Sequence, residues 1–133
     1  MDERPSALFD GGFAAHYGLE LLSLDDDGMR ARVAVRDELK QPAGLIDGGV
    51  YAAMAENMAS AGTYVAVRRA GQIAMGQANH TSYMRPITEG HVNALARPRH
   101  RGRTTWVWEV EFLDDSQRLC ALSRVTVAVR QPR

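Results

Sequence analysis

Cysteine is almost missing from this chain. Cys120 is the only one in 133 residues. No internal disulfide can form, and a reducing cytoplasm is the expected setting. Long hydrophobic runs are missing too, and none approaches the roughly 18 residues a membrane-spanning helix needs. The opening MDERPSALFDGG is acidic and polar and has neither the basic nor the apolar stretch of a secretion signal. Excess charge of either sign is lacking, because 16 Lys and Arg balance 16 Asp and Glu. Nucleic-acid binders carry a basic excess, so the expected partners include neither nucleic acid nor membrane. Repeats, G-x-G-x-x-G or P-loop phosphate cradles and a G-x-S-x-G nucleophile elbow are all lacking. His16, His80, His91 and His100 have no metal-ligand spacing, and no metal is expected.

What remains is a chain with 45% hydrophobic residues. At this length about two-thirds of the unfolded surface can be buried, enough for one domain over residues 1–133. Pro5 to Tyr17 reads as a short helix with Ser6 as its N-cap. Leu19 to Leu24 and Met29 to Val35 favour strand, joined by a DDDG turn at Asp25 to Gly28. Asp37 to Asp47 is a loop. A long helix follows, Gly48 to about Arg69. Then come four strand-like segments: Gln72 to Met84, Gly90 to Arg99, Thr104 to Leu113 and Leu119 to Arg130. The turns between the last three are RHRG, Arg99 to Gly102, and DDSQ, Asp114 to Gln117. In TTWVWEVEF, the residues Trp106, Trp108, Val110 and Phe112 alternate with Glu109 and Glu111, as in a strand with one buried face. The order implies an α+β fold, one antiparallel sheet with one long helix on it. A sheet so covered leaves its second face wet or paired, so an oligomer is expected.

The long helix carries the chemistry. At 100° per residue, Val50, Met54, Met58, Ala61 and Val65 form an apolar stripe expected to face the sheet. Gly49, Ala53, Glu56, Ser60 and Thr63 form a second stripe of small and hydroxyl residues with one charge. A solvated face would show Lys, Gln and Arg instead. A carboxylate among small residues lets a ligand or a second subunit approach closely, and Glu56 is therefore the candidate base or nucleophile. Asp47 is a natural N-cap. Gly48 and Gly49 leave the first-turn N–H groups open, and these with the helix dipole can hold a carbonyl oxygen as it becomes negative. Glu56 lies two turns on, about 12 Å along the axis from Gly48. Both reach one electrophile only if the substrate lies along the helix start or a neighbouring subunit supplies one of them. The run ARPRHRGR, Ala96 to Arg103, is either a phosphate clamp or a solvated turn.

Gln41, the I-D-G-G at Ile46 to Gly49, Glu56 nine residues after Asp47 and Ser60 four after that resemble the hotdog-fold acyl-CoA thioesterases. The run GQANHTSYMRPITEGHV, Gly76 to Val92, with TTWVWEVEFLDDSQRLCALS after it, resembles the glutamate-dependent aryl-CoA branch. That branch includes the PaaI-like and 4-hydroxybenzoyl-CoA thioesterases. The resemblance covers about Leu19 to Arg130. It implies a curved antiparallel sheet wrapped around one long helix, and homodimers with active sites at the subunit interface that pair into homotetramers. It implies an acyl-CoA substrate and no cofactor, coenzyme A being part of the substrate. By resemblance Glu56 is the nucleophile or general base, and the Gly48 N–H polarises the thioester carbonyl. Gln41 lies near that carbonyl or the leaving thiol, and Ser60 orients the carboxylate or water. Arg85, Arg101, Arg103 and Thr104 would meet the phosphates of coenzyme A. Asp47 stands where the family commonly has His. It can cap the helix but cannot donate as an imidazole can, which leaves more of the polarisation to Gly48. Two rival readings stay open: a hotdog hydratase or dehydratase, which needs a catalytic His near the helix, and a module that binds acyl-CoA without turnover.

Overall fold

A computed structural model describes residues 7–133. The elements run α1 (Gly12–Tyr17), β1 (Glu20–Asp25), β2 (Gly28–Ala34), α2 (Gly48–Val67), β3 (Ile73–Tyr83), β4 (His91–Arg101), β5 (Thr105–Leu113) and β6 (Leu119–Arg130). The strands form one sheet in the order β1-β2-β4-β5-β6-β3. Every neighbouring pair is antiparallel. β2 and β4 pair although α2 and β3 separate them in the chain, and β3 is carried to the far edge beside β6. Edge strands β1 and β3 each leave one row of backbone groups without a strand partner.

Local chemistry explains most of the boundaries. The Asp25 carboxylate accepts from the N–H groups of Asp27 and Gly28, at 2.8 and 3.2 Å, and so closes the first hairpin. In β5, Trp108, Val110 and Phe112 are buried. Glu109 and Glu111 lie on the outer face and reach diagonally to Arg99 and Arg97 of β4, at 3.6 and 3.3 Å. The ladder shifts register at Leu21/Ser23, Gly76/Ala78, Pro98/His100 and Phe112/Leu113. Each irregularity bends its strand and adds twist, which curls the sheet around α2. Pro98 has no N–H to donate and sits at one of these shifts, where a ladder tolerates it.

Three boundaries differ from the sequence reading. Pro5 and Ser6 lie outside the described residues. Within them the first helix starts only at Gly12, with Gly11 at its N-cap and no side-chain cap. RHRG is not a turn: β4 continues through Arg101, and the Gly102 N–H closes the turn on the Thr105 carbonyl at 2.9 Å. α2 ends at Val67, and Arg68–Ala70 tighten into a 3-10 turn.

The buried band of α2 is also rotated from the expected stripe. Val50, Met54 and Met58 are buried as expected, but Ala61 and Val65 are only half-buried. Tyr51, Ala55, Ala59, Gly62 and Thr63 complete the band instead. Small residues on both sides allow this. Ala31, Ala94, Ala96 and Ala121 line the facing sheet, so the helix sinks onto it along its own alanines. A Cβ on Gly62 would come within 2.6 Å of the Trp108 ring. Thr63, two turns beyond Glu56 on the same side of the helix, therefore belongs to the core: its hydroxyl accepts from Trp108 Nε1 at 2.8 Å. Met54 and Met58 are fully buried, each stabilising the fold by about 2–3 kcal/mol. α1 docks on α2 through Tyr17, whose hydroxyl donates to Asn57 Oδ1 at 2.6 Å. Burial raises the Tyr17 hydroxyl well above its ordinary titration range. Among the described residues no helix is long and apolar enough to cross a membrane.

Candidate active site

The start of α2 is held by its entering loop. The Ile46 N–H reaches the Ile87 carbonyl at 2.8 Å, and the Asp47 N–H reaches the Leu39 carbonyl at 2.9 Å. Asp47 is the N-cap, its carboxylate accepting from the Gly49 N–H at 2.7 Å. Its carbonyl takes the Val50 N–H at 3.0 Å. The Gly48 N–H has no acceptor among the described residues, so it remains the open first-turn donor at the positive end of a 20-residue helix.

Gln41 sits over this helix start. Its side-chain carbonyl accepts from the Ala43 N–H, and its backbone carbonyl from the Gly44 N–H at 2.9 Å. With the amide oxygen so engaged, the amide NH2 is the end of Gln41 left to donate to a ligand. Gln41, Gly48 and Arg85 line one open cleft of about 540 Å³ with Leu45, Ile46, Tyr51, Tyr83, Met84 and Pro86. Its wall is mainly apolar and aromatic. Tyr83 is 57% exposed and lies across Gly48, donating to the Gly48 carbonyl at 3.2 Å. The Tyr83 ring tilts on Tyr51 at 5.8 Å, and Tyr51 meets Phe112 edge-on at 5.2 Å. Burial pushes the Tyr51 hydroxyl up to about 12, so at neutral pH it is a donor and not a base.

Glu56 is not in that cleft. It is half-buried on the side of α2 that meets β3, where the Ser60 hydroxyl donates to its Oε2 at 3.0 Å. The carboxylate lies directly on the backbone of Gly76 in the edge strand β3. Nearby, Asn79 Nδ2 donates to the Ala52 carbonyl at 2.9 Å, one turn before Glu56. The Thr81 hydroxyl donates to Asn79 Oδ1 at 2.9 Å and lies 2.7 Å from the Ser123 hydroxyl. The N-H-T-S run thus bolts the edge strand to the helix beside the acid. His80 is exposed and is not part of it.

One chain therefore holds two separate clusters. Gln41, Gly48 and Arg85 share the cleft at the helix start, with Asp47 setting that start. Glu56 and Ser60 pair at the β3 edge. Arg101, Arg103 and Thr104 stand elsewhere. They flank the β4–β5 turn, level with the Ile73 end of β3, while Arg85 follows its Tyr83 end. At about 3.3 Å per strand residue those ends are roughly 30 Å apart. Arg101 is engaged with the Asp26 carbonyl and sits 5.7 Å over the Trp106 ring. The Thr104 carbonyl accepts from Val129 N–H and Arg130 Nη1, each at 2.9 Å. Among the described residues no group of three or more His, Cys, Asp or Glu could hold a metal.

Sequence reasoning missed Tyr83, Gly76 and Asn79. Gly76 did leave a signal: a glycine inside a strand pattern marks a bulge or a close approach. Tyr83 left none, because a tyrosine at a strand end is ordinary.

Comparisons with known proteins agree with this fold. Residues 43–121 match the family described as Thioesterase superfamily. The proofreading thioesterase EntH of Cronobacter turicensis is 35% identical over 127 residues, 96% of this chain and 92% of that protein. A thioesterase from Pseudomonas aeruginosa with a Gln-to-Ala substitution superposes with a TM-score of 0.90 at 28% identity, covering 96% of this chain and 92% of the other. A thioesterase enzyme from Staphylococcus aureus, also a Gln-to-Ala variant, superposes with a TM-score of 0.83 at 26% identity, covering 87% and 96%. A second structure of that protein carries a Glu-to-Ala substitution. Its two replaced positions are as far apart in sequence as Gln41 and Glu56 are here. A curved antiparallel sheet around one helix, with these relatives over nearly its whole length, leaves one assignment: the chain has the hotdog fold, belongs to the thioesterase superfamily and is a thioester hydrolase.

Proposed function

We infer that the substrate is an acyl-CoA with an aromatic acyl group of hydroxybenzoyl or phenylacetyl type, hydrolysed to the free acid and coenzyme A. The observation that carries this reading is the cleft at the start of α2, where an open N–H and a glutamine amide stand beside the Tyr51 and Tyr83 rings. Flat rings suit an aryl group, and aromatic pairs add about 0.5–1.5 kcal/mol beyond the area they bury. The Gly48 N–H holds the carbonyl oxygen as it becomes an oxyanion, a donor worth about 3 kcal/mol. The Gln41 amide assists at the carbonyl or the leaving sulfur. Glu56, oriented by Ser60, attacks the thioester carbon or takes a proton from the water that does. In the first case water then hydrolyses the mixed anhydride on Glu56, and in the second it adds directly. Either way the C–S bond breaks, a proton from that water ends on the leaving sulfur, coenzyme A leaves as the thiol, and no cofactor is required.

The acid and the oxyanion donors belong to different half-sites, so the working unit is a homodimer. β3 is a long edge strand, and a second copy can add to it antiparallel. A twofold axis crossing β3 near Asn79 and His80 would bring Gly76 of one chain level with the Tyr83 end of the other. Glu56 would then meet the Gly48–Gln41 cleft of its partner, and Arg85 would approach the partner's Arg103–Thr104 turn, which together could hold the phosphates of coenzyme A. Dimers then pair into homotetramers. The buried, lone Cys120 suits a reducing cytoplasm.

The test is thiol release from a panel of aryl- and alkyl-CoA esters beside Glu56→Ala, with the oligomer sized by sedimentation. Turnover of an aryl ester, a loss of at least about 100-fold in the variant and a sedimenting dimer or tetramer are expected. Saturable binding without thiol release, or a monomer that turns over, overturns the reading.

A further inference from the structure

β3 alternates its side chains between the helix side and the outer face, as any strand does. Asn79, Thr81 and Tyr83 are the odd positions, and all three reach inward, to the Ala52 carbonyl, the buried Ser123 and Gly48. Gly76 is even, and a regular strand would turn it outward with His80. Yet a Cβ built on Gly76 falls on both carboxylate oxygens of Glu56, so Gly76 faces inward too. The register shift between Gly76 and Ala78 accounts for this. Gly76 pairs with Val127 and Ala78 with Thr126, which leaves Gln77 as the extra residue. One inserted residue changes the face of everything on one side of it. The bulge therefore puts a residue with no side chain and the Asn79 clamp on the same face, under the same turn of α2.

We propose that Gly76, with the bulge at Gly76–Ala78, is the seat of the Glu56 carboxylate and a positioning residue for thioester hydrolysis. The bare backbone lets the carboxylate lie against the edge strand while Ser60 holds Oε2. Oε1 has no hydrogen-bond partner among the described residues and is the oxygen left for the reaction. A methyl at Gly76 displaces the carboxylate, not the fold, because the atoms it meets are the mobile end of one long side chain. Displacement by about 1 Å at a reacting group costs on the order of 100-fold. The inference rests on Glu56 being the catalytic carboxylate, and the test separates the two.

Gly76→Ala is purified, its crystal structure determined, and its kcat and KM measured in the wild-type and Glu56→Asp backgrounds. Asp is shorter by one methylene and clears the added methyl. The carboxylate is expected to leave the strand and lose Ser60, with kcat down about 100-fold and KM within about 3-fold. In the Glu56→Asp background the same substitution should cost less than about 3-fold, as expected of two groups acting as one unit. A carboxylate still seated on the strand in the Gly76→Ala crystal overturns the proposal. So does an equal loss in both backgrounds, which would mean Gly76 acts through strand pairing and not through Glu56. A displaced carboxylate with kcat unchanged upholds the seat, overturns its positioning role and refutes Glu56 as the catalytic group.

Discussion

Replacing Thr63 with Val is the sharpest test of how α2 is packed. The two side chains have nearly the same shape, so the change swaps a hydroxyl for a methyl and little else. In the protein that hydroxyl donates to the Ala59 carbonyl and accepts from Trp108 Nε1, both at 2.8 Å. The Ala59 carbonyl keeps the helical N–H four residues on and is not orphaned. The indole N–H is, because Thr63 is 0% and Trp108 2% exposed and water cannot reach it. A buried donor without an acceptor costs about 1–3 kcal/mol. The extra methyl returns at most about 0.8 kcal/mol. The net loss is about 1–2 kcal/mol. With about 2.1 cal/mol/K of unfolding entropy per residue, each kcal/mol lowers Tm by roughly 4 °C in a chain of this size. Urea and thermal melts at one fixed protein concentration should therefore show Tm down by about 4–8 °C. Thr63→Ser keeps the hydroxyl and loses only a methyl, so it should cost about 1 kcal/mol. Activity of Thr63→Val should stay within about 2-fold of wild type, because Thr63 lies two turns, about 10 Å, beyond Glu56 and is buried against Trp108. A Val variant within about 0.5 kcal/mol of wild type would refute the reasoning, and so would a Ser variant that is clearly the worse of the two.

Three further outcomes are expected. Ser60→Ala removes one hydrogen bond to the Glu56 carboxylate, worth about 1.5–2 kcal/mol, so kcat should fall about 10–30-fold with KM unchanged; steady-state kinetics that moved KM alone would count against it. Tyr83→Ala strips the aromatic wall over Gly48 and should raise KM for aryl-CoA esters several-fold more than for alkyl ones, and an equal change for both would remove Tyr83 from acyl selection. Asp114 is held below its ordinary 3.8, first by the Arg118 backbone N–H and then by the Arg118 side chain. Its folded value is depressed, so its stabilisation is fully present above about pH 5 and drains away as pH falls below about 4. Asp114→Asn should accordingly be less stable than wild type at pH 7, with the gap closing in melts taken toward pH 3.

Much of the fold was legible because it is local. β6 runs over the residues read as Leu119 to Arg130, and the DDDG and DDSQ turns fall where their chemistry put them. Asp47 announced the start of α2 by its own side chain. What failed was local in appearance but tertiary in cause. RHRG reads as the turn between two strand-like segments, yet pairing with β5 carries β4 through. The stripe of α2 was drawn from hydrophobicity alone, which undervalues alanine. A curled sheet with alanines on its inner face lets Ala55 and Ala59 pack closest, and Trp108 then draws Thr63 inward.

The same division runs through the candidate site. The amino-acid order was enough to name the groups: a lone acid among small residues, an uncovered N–H at a capped helix start, and a glutamine in the loop before it. The acid and the N–H follow from side-chain chemistry and the period of one helix, which spacing encodes, whereas the glutamine is named by the resemblance to the thioesterases alone. Where those groups meet was settled by packing across the sheet. Packing put Gln41, Gly48 and Arg85 in one cleft and kept Glu56 out of it. It also set the Glu56 carboxylate on Gly76, a bare backbone position in an edge strand. That contact joins two elements the chain brings together only after α2 has ended, and a bulge in β3 turns the glycine inward. No spacing within a single element encodes either event, because both depend on which strand pairs with which and in what register.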